Sequence, residues 1–168
     1  IEGTRPGSLR ICAILIILGC GAYGFTIGYR NGWEMAGWVA LKLPAIIFLT
    51  LFVNGLINGM IGLILGSGIG FRQSLQFLLT GFAIMSVIVG ALSPVTLFAT
   101  LNMPAPGAEN SLEWHALNLL LHTAIIAFAG TLAHWRLLQY VRDFADSRRT
   151  GTLTFCAWLA GNLFVGAQ

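Results

Sequence analysis

The stretch "LPAIIFLTLFVNGLINGMIGLIL", Leu43–Leu65, decides the fold class of this protein. It contains no Asp, Glu, Lys or Arg, and it exceeds the roughly 20 apolar residues with which a helix crosses a hydrocarbon core about 30 Å thick. Its polar residues Thr50, Asn54 and Asn58 recur every four residues. The stretch therefore predicts a transmembrane helix with one polar line, which should face another helix rather than acyl chains.

The composition extends this prediction to the whole chain. Hydrophobic residues make up 57% and charged residues 9% of the 168 residues, and the mean hydropathy is +0.82. This is too little charge to solubilise a compact globule. The nine Lys and Arg residues are scattered in ones and twos, so the net charge of +3 does not indicate nucleic-acid binding. We expect the lipid bilayer, and no nucleic acid, as the partner of this surface.

Four further segments resemble Leu43–Leu65 in length and apolarity. They cover residues 11–29, 75–101, 116–133 and 152–168. The sequence thus predicts an all-α, polytopic transmembrane helix bundle of five spans, which form a single domain over residues 1–168. Because the chain lacks an initiating Met and is still apolar where it stops, we expect the natural protein to continue at both ends.

The basic residues between the spans predict the orientation. If the spans alternate in direction, Arg30 and Lys42 fall on one side and the other seven basic residues on the opposite side. Cytoplasmic loops carry the excess of Lys and Arg. The N-terminus is therefore predicted to be cytoplasmic. In a bacterium this means the inner membrane, with the 102–114 connection in the periplasm.

Four tryptophans are predicted to anchor the bundle at the two membrane surfaces. Trp114 and Trp135 flank the fourth span, and the helix between them would be roughly 31 Å long, close to the core thickness. Trp33 and Trp38 precede the second span in "NGWEMAGWVALK". That segment is either a short interfacial helix or an irregular loop.

Two segments are expected to interrupt regular helix. Pro94 removes one backbone hydrogen bond near the outer end of the third span. The result is either a bent helix or a helix that ends near Ser93 and continues as a loop. The connection "GSGIGFRQS", residues 66–74, lacks the spacing of a phosphate-binding loop and carries Arg72 as its one cation. It predicts a tight cytoplasmic turn.

Glycine pairs indicate how the helices meet. Three G-x-x-x-G pairs, which allow close approach of two helices in lipid, are Gly24 with Gly28, Gly55 with Gly59, and Gly62 with Gly66. Asn54 and Asn58 are expected to hydrogen-bond to a neighbouring helix, each bond contributing about 0.6 to 2 kcal/mol. These faces exceed what five helices need for their own packing. We therefore expect other membrane protein subunits as partners.

The stretch "WHALNLLLHTA", residues 114–124, contains the candidate ligand-binding residue. His115 lies at the predicted outer surface and His122 roughly 10 Å deeper on the same face, so one metal ion cannot bind both. No metal site is predicted. His122 is expected either to hydrogen-bond to a neighbouring helix, near Asn54 or Asn58, or to be an axial ligand of haem or chlorin.

The K-L-P motif at residues 42–44 and the Ser-Pro pair at 93–94 carry a resemblance. Residues 41–102, together with "AWLAGNLFVGAQ" at the end of the chain, resemble a widespread group of uncharacterised bacterial inner-membrane proteins with Yip1-like organisation. The resemblance implies a multi-span α-helical fold that continues beyond Gln168. It implies no catalytic residues.

Catalytic motifs of membrane enzymes do not occur in the sequence. It contains neither the G-x-S-G serine of rhomboid proteases nor H-E-x-x-H, and one ionisable side chain deep in a span is too few for a coupled ion carrier. The leading hypothesis is a non-catalytic accessory or scaffold subunit of a larger membrane complex. The alternatives are a haem- or chlorin-ligating subunit of an electron-transfer or light-harvesting complex, and a small transporter of an uncharged or lipid-like substrate. No cofactor is required by the sequence.

Overall fold

A computed structural model describes residues 6–104, 108–145 and 147–166, and every regular element in these ranges is a helix. The helices are α1 Pro6–Tyr29, α2 Trp33–Ile64, α3 Phe71–Ala91, α4 Ser93–Leu101, α5 Ser111–Phe144 and α6 Arg148–Gly166. The predicted all-α fold is thereby confirmed. Residues 105–107 of the predicted periplasmic connection, and residues 167–168 of the predicted fifth span, lie outside the described residues.

Four of the helices, namely α1, α2, α3 and α5, are long and apolar enough to cross a membrane. The mean hydropathy of their most apolar windows lies between 1.7 and 2.1. Helices of the length and apolarity that a bilayer requires are therefore confirmed for four segments. The described part of α6 is not among the four, so the count of five spans stays a prediction.

The second helix begins earlier than predicted. Trp33–Ile64 is one continuous α2, with Pro44 inside it, so both the separate interfacial helix and the irregular loop are wrong. The segment before Pro44 is rich in good helix formers such as Ala, Leu, Met, Glu and Lys, and it packs against the end of α1. Trp33 and Trp38 lie in its first turns, 71% and 59% exposed.

The third predicted span is two helices that meet at Leu92. Leu92 keeps helical dihedral angles, with φ −88° and ψ −3°, and Pro94 lies in the first turn of α4. A proline there loses no intrahelical hydrogen bond, because the first N–H groups of a helix have no partner in any case. The chain consequently resumes as a helix, and the predicted loop after Ser93 is wrong.

Five of the predicted glycines lie where two helices are in close contact. A Cβ added to Gly28 would lie 2.6 Å from the carbonyl oxygen of Met35 in α2, and one added to Gly59 would lie 2.8 Å from the Cα of Phe71 in α3. An added Cβ would lie 2.7 Å from α2 at Gly24 and 2.9 Å from a side chain of α3 at Gly55. At Gly62 it would lie 2.5 Å from the turn that precedes α3. All these contacts are within this chain.

Gly66 is the exception, and its predicted packing role is wrong. Helix α2 ends at Ile64, so Gly66 lies in the following turn with a φ of +60° and no atom within 4 Å of an added Cβ. Glycine adopts this left-handed conformation at little cost. A G-x-x-x-G pair packs against another helix only when both glycines are helical, and Gly66 lies beyond the end of α2.

Helix α3 lies near the middle of the bundle. It contacts α1, α2 and α5, whereas α6 contacts α5 and α2. One core surrounds Trp158 of α6 and includes residues of α2, α3 and α5. Another surrounds Tyr23 of α1 and includes Val89 of α3 and Ile125 of α5. Across the described residues, α2 and α5 make no direct backbone contact, and this separation leaves the space discussed next.

Candidate ligand cavity and the buried histidine

His122 hydrogen-bonds to α1. Its Nδ1 lies 2.8 Å from the hydroxyl oxygen of Tyr23, the two rings meet edge to face at 5.4 Å, and the imidazole is 8% exposed. The predicted partners Asn54 and Asn58 are wrong, because α2 and α5 do not pack on each other. A long tyrosine side chain reaches α5 where the shorter amides of α2 do not.

Tyr23 belongs to a row of polar side chains on α1, which we call the Tyr23 row. Its members are Cys20, Tyr23 and Thr26, each three residues after the last. Cys20 bonds to Ser86 of α3 at 3.1 Å, and Thr26 bonds to Thr96 of α4 at 2.9 Å. Every member is buried and has a partner on another helix, which is how native interiors accommodate polar groups.

One ring nitrogen of His122 is left for a haem or chlorin. With Nδ1 bonded to Tyr23, Nε2 is the nitrogen left to ligate, and it is buried with no partner within residues 6–104, 108–145 and 147–166. Neither of the two cavities described below is lined by His122.

A cavity of about 310 Å³ lies between α2, α3, α5 and α6, and we call it the main cavity. This volume is at the lower end of the range of about 300 to 1,000 Å³ for small-molecule sites. Leu, Phe, Met, Gly and Ala form most of the wall. Its lining among the described residues includes no Asp, Glu, Lys or Arg, so the cavity suits an uncharged, largely apolar molecule.

Two glycines create part of this volume. Gly81 of α3 and Gly130 of α5 both line the main cavity, and a Cβ added to either would meet nothing within 4 Å. They differ from Gly28 and Gly59, whose missing side chains admit another helix. Here the missing side chains leave open space.

Polar groups line the main cavity chiefly on the side of α2 and α6. Asn54, Trp158 and Asn162 lie there, whereas His134 of α5 is exposed and bonds through Nδ1 to the carbonyl oxygen of Gly130 at 2.8 Å. The indole N–H of Trp158 and the amide oxygen of Asn162 are buried, and the described helices offer neither a partner. Both residues line the cavity, while these two atoms are themselves covered by protein.

More unmet polar groups lie close along the same helices. They are Asn58 in α2, Ser74 in α3 and Thr154 in α6, each 0% exposed and without a hydrogen-bond partner in the described part of the chain. Each is four residues from a residue that lines the main cavity. Positions four apart share a helix face, so each of these groups lies on the same face of its helix as a residue of the cavity wall.

A shallower groove of about 440 Å³ runs along the outer surface of α5 and α6. It shares Gly130, His134, Phe155 and Leu159 with the main cavity. Helix α5 is one of the four helices suited to cross a membrane, and the shared residues lie on α5 and on the facing side of α6. The main cavity therefore opens sideways, between α5 and α6.

The remaining predicted site residues lie on the surface. Trp114 and Trp135 are 47% and 64% exposed on α5, and His115 is also exposed. Trp33 packs its ring 5.1 Å from that of Tyr29, and Lys42 lies 5.7 Å from the ring centre of Trp38. Exposed tryptophans at these positions suit interfacial anchoring.

Sequence reasoning missed the residues that form the main cavity. Trp158 and Asn162 are four residues apart in an otherwise apolar segment, and this spacing was the available signal. Gly81 and Gly130 belong to no G-x-x-x-G pair. Their separate positions distinguish them from the packing glycines only after the fold is known.

Comparison of the chain with protein-family models, with curated proteins and with solved structures finds no match. The Yip1-like resemblance therefore stays a prediction.

Proposed function

We propose that this protein is a non-catalytic integral membrane protein that binds an uncharged, lipid-like molecule in the main cavity. The observation that carries the proposal is the chemistry of the wall. It is mostly apolar, its described lining lacks charged carboxylate, ammonium and guanidinium groups, and its polar residues include Asn54 and Asn162.

An uncharged lipid matches this wall on both counts. Its hydrocarbon part suits the Leu, Phe and Met side chains, and its polar head suits the amide side chains of Asn54 and Asn162. The sideways opening between α5 and α6 gives such a molecule a route from the bilayer. Binding of this kind is the step that a carrier of lipid-like substrates needs.

The proposal includes the orientation in the membrane. Helix α6 is the fifth span, since Trp158 lies 1% exposed in a core shared with α2, α3 and α5. The N-terminus is cytoplasmic in a bacterial inner membrane, and residues 102–114 are periplasmic. In a cysteine-free variant, Ala108→Cys is expected to react with an impermeant maleimide in spheroplasts, whereas Ser147→Cys is not. The reverse pattern would contradict this orientation.

The main cavity is a stronger basis than the accessory-subunit hypothesis. That hypothesis rested on an excess of small-residue faces, yet Gly24, Gly28, Gly55, Gly59 and Gly62 contact other parts of this chain. They no longer argue for a partner subunit. The haem hypothesis has less support, because His122 lines neither the main cavity nor the groove.

Native mass spectrometry of the protein in mild detergent tests the proposal. Gly130→Leu and Gly81→Leu place a side chain in the main cavity without a backbone clash. Gly37→Leu is the matched control, because Gly37 is an exposed helical glycine whose added Cβ also meets nothing within 4 Å. We expect wild type and Gly37→Leu to retain a neutral lipid and the two filled variants to retain about tenfold less, equivalent to about 1.4 kcal/mol.

Two outcomes would overturn the proposal. In the first, wild-type protein carries no neutral lipid and takes up none when it is added. In the second, Gly130→Leu and Gly81→Leu retain as much lipid as Gly37→Leu.

A further inference from the structure

The groove on the outer surface of α5 and α6 follows one face of each helix. Its α5 wall extends from Ala127 to Leu138, with members in the spacing i, i+3, i+4, i+7 that marks a single helix face. At a rise of 1.5 Å per residue this wall is about 16 Å long. Phe155 and Leu159 form the α6 wall, and the described lining contains no Asp, Glu, Lys or Arg. The groove therefore suits an extended hydrocarbon chain.

One end of the groove lies at a hydrogen bond between the two helices. Arg142 follows Leu138 by four residues, and Thr152 precedes Phe155 by three. Each therefore continues the helix face that lines the groove. Arg142 Nε donates to Thr152 Oγ1 at 3.0 Å, and the same hydroxyl donates to the carbonyl oxygen of Arg148 at 2.8 Å. An exposed guanidinium and the first residue of α6 thus contact one hydroxyl group.

The positive charge at this end is not neutralised by a described neighbour. Residues 136–149 contain four Arg and two Asp. Within residues 108–145 and 147–166, neither Arg142 nor Arg148 forms an ion pair, and Asp143 lies about 140° around α5 from Leu138. Arg142 keeps four N–H groups on its two Nη atoms. A guanidinium fork of this kind matches the geometry of a phosphate group.

Trp135 relates this end of the groove to the membrane surface. It lines the groove and is 64% exposed, and exposed tryptophans prefer the level of the lipid headgroups. Arg142 follows it by seven residues, roughly 10 Å along α5. Side chains on a helix lean toward its N-terminus, which for Arg142 is the direction of the groove. The guanidinium is thus suited to a headgroup, and the groove to the chain attached to it.

We propose that the groove binds a phospholipid with an anionic headgroup. One acyl chain lies between α5 and α6, and the phosphate accepts hydrogen bonds from Arg142, with Arg148 adding positive charge at the same end. A zwitterionic headgroup would bring an ammonium group for which the described groove offers no carboxylate, so a headgroup of net negative charge fits better. This site is distinct from the main cavity, whose proposed ligand is uncharged.

Native mass spectrometry of the delipidated chain in mild detergent tests the headgroup. The probes are phosphatidylglycerol and phosphatidylcholine with the same acyl chains, since these two lipids differ in net charge. We expect the protein to bind phosphatidylglycerol at least about fivefold more tightly, the equivalent of one arginine near an anionic surface. Inorganic phosphate at the same concentration should not displace the lipid, because it has no acyl chain.

Arg142→Gln tests the contact with the phosphate. It should weaken phosphatidylglycerol binding about fivefold and leave phosphatidylcholine binding unchanged. Arg136→Gln is the matched control, because it removes the same charge from an exposed position of the same helix. Arg136 lines neither the groove nor the main cavity, and it lies about 160° around α5 from Leu138. It should keep the preference of the wild type.

Thr131→Trp tests the acyl chain, because it places a large side chain in the groove. Both phospholipids should bind about tenfold more weakly to this variant. Leu132→Trp is the matched control, since Leu132 is 40% exposed on α5 and lines neither the groove nor the main cavity. It should bind both lipids as the wild type does.

The outcomes test each part of the site and separate it from the proposed function. Equal affinity for the two phospholipids, or equal losses in Arg142→Gln and Arg136→Gln, would overturn the headgroup assignment. Displacement by inorganic phosphate, or equal binding by Thr131→Trp and Leu132→Trp, would remove the acyl chain from the groove. Gly81→Leu fills the main cavity and does not line the groove, so it should retain phosphatidylglycerol. Loss of phosphatidylglycerol in that variant would place the phospholipid in the main cavity and overturn the groove site.

Discussion

The Tyr23 row and the polar residues around the main cavity are both buried in apolar helices and differ in their partners. In the Tyr23 row, Cys20, Tyr23 and Thr26 each bond to a side chain on another helix. Around the main cavity, Trp158 and Asn162 have buried polar atoms that no described residue satisfies. Both sets lie in apolar helices. Threonine occurs in both classes, bonded at Thr26 and unmet at Thr154, so residue type does not distinguish a polar group that joins helices from one without a partner.

The comparison extends to the glycines. Gly59 lies against the backbone of Phe71, whereas Gly130 faces open space. In the first case the absent side chain permits helix contact, and in the second it permits a guest molecule. The two regions thus differ in what fills the space beside each helix.

The largest stability effect is expected from Gly59→Ala. The new Cβ would lie 2.8 Å from Phe71 Cα, which forces α2 and α3 apart at a cost of about 1 to 3 kcal/mol. Gly130→Ala is the matched control, and it should stabilise the protein by about 0.5 to 1 kcal/mol because alanine favours the helix. Unfolding in mixed detergent and SDS micelles measures both. Equal effects of the two substitutions would break the distinction between packing and cavity glycines.

The helical class was predictable because composition and apolar length are local properties of the sequence. The contacts of Gly24, Gly28, Gly55 and Gly59 also follow a local spacing. The start of α2 at Trp33 was not predictable, because contact with α1 extends the helix beyond its apolar span.

The partner of His122 and the unmet state of Trp158 and Asn162 were not predictable for a related reason. Both depend on which helices are neighbours, and apolar helices carry little sequence information on that point. The prediction that Asn58 bonds to another helix failed in the same way, since its side chain has no partner in the described ranges.

An intermediate effect is expected from the Tyr23 and His122 pair. Tyr23→Phe and His122→Leu each remove one side of the 2.8 Å hydrogen bond, and a double-mutant cycle isolates their coupling. We expect about 0.6 to 1.7 kcal/mol, the range for hydrogen bonds between transmembrane helices. Unfolding in the same micelles provides the four free energies. Additive losses, with no coupling, would show that the Tyr23 row does not join α1 to α5 through this bond.

The smallest effect on stability is expected from Asn58→Leu. This substitution replaces a fully buried amide that, unlike the members of the Tyr23 row, has no partner in the described chain. Asn58 is 0% exposed, and neither polar atom of its side chain has a partner within the described helices. No protein hydrogen bond is lost by the substitution, and exchange of an unmet polar group for an apolar one of similar size is close to neutral or stabilising. We expect the free energy of unfolding of the lipid-free protein to change by less than about 0.5 kcal/mol, or to rise. A loss above about 1 kcal/mol, the typical net value of one hydrogen bond, would assign Asn58 to the bonded class of the Tyr23 row and remove it from the groups without a partner.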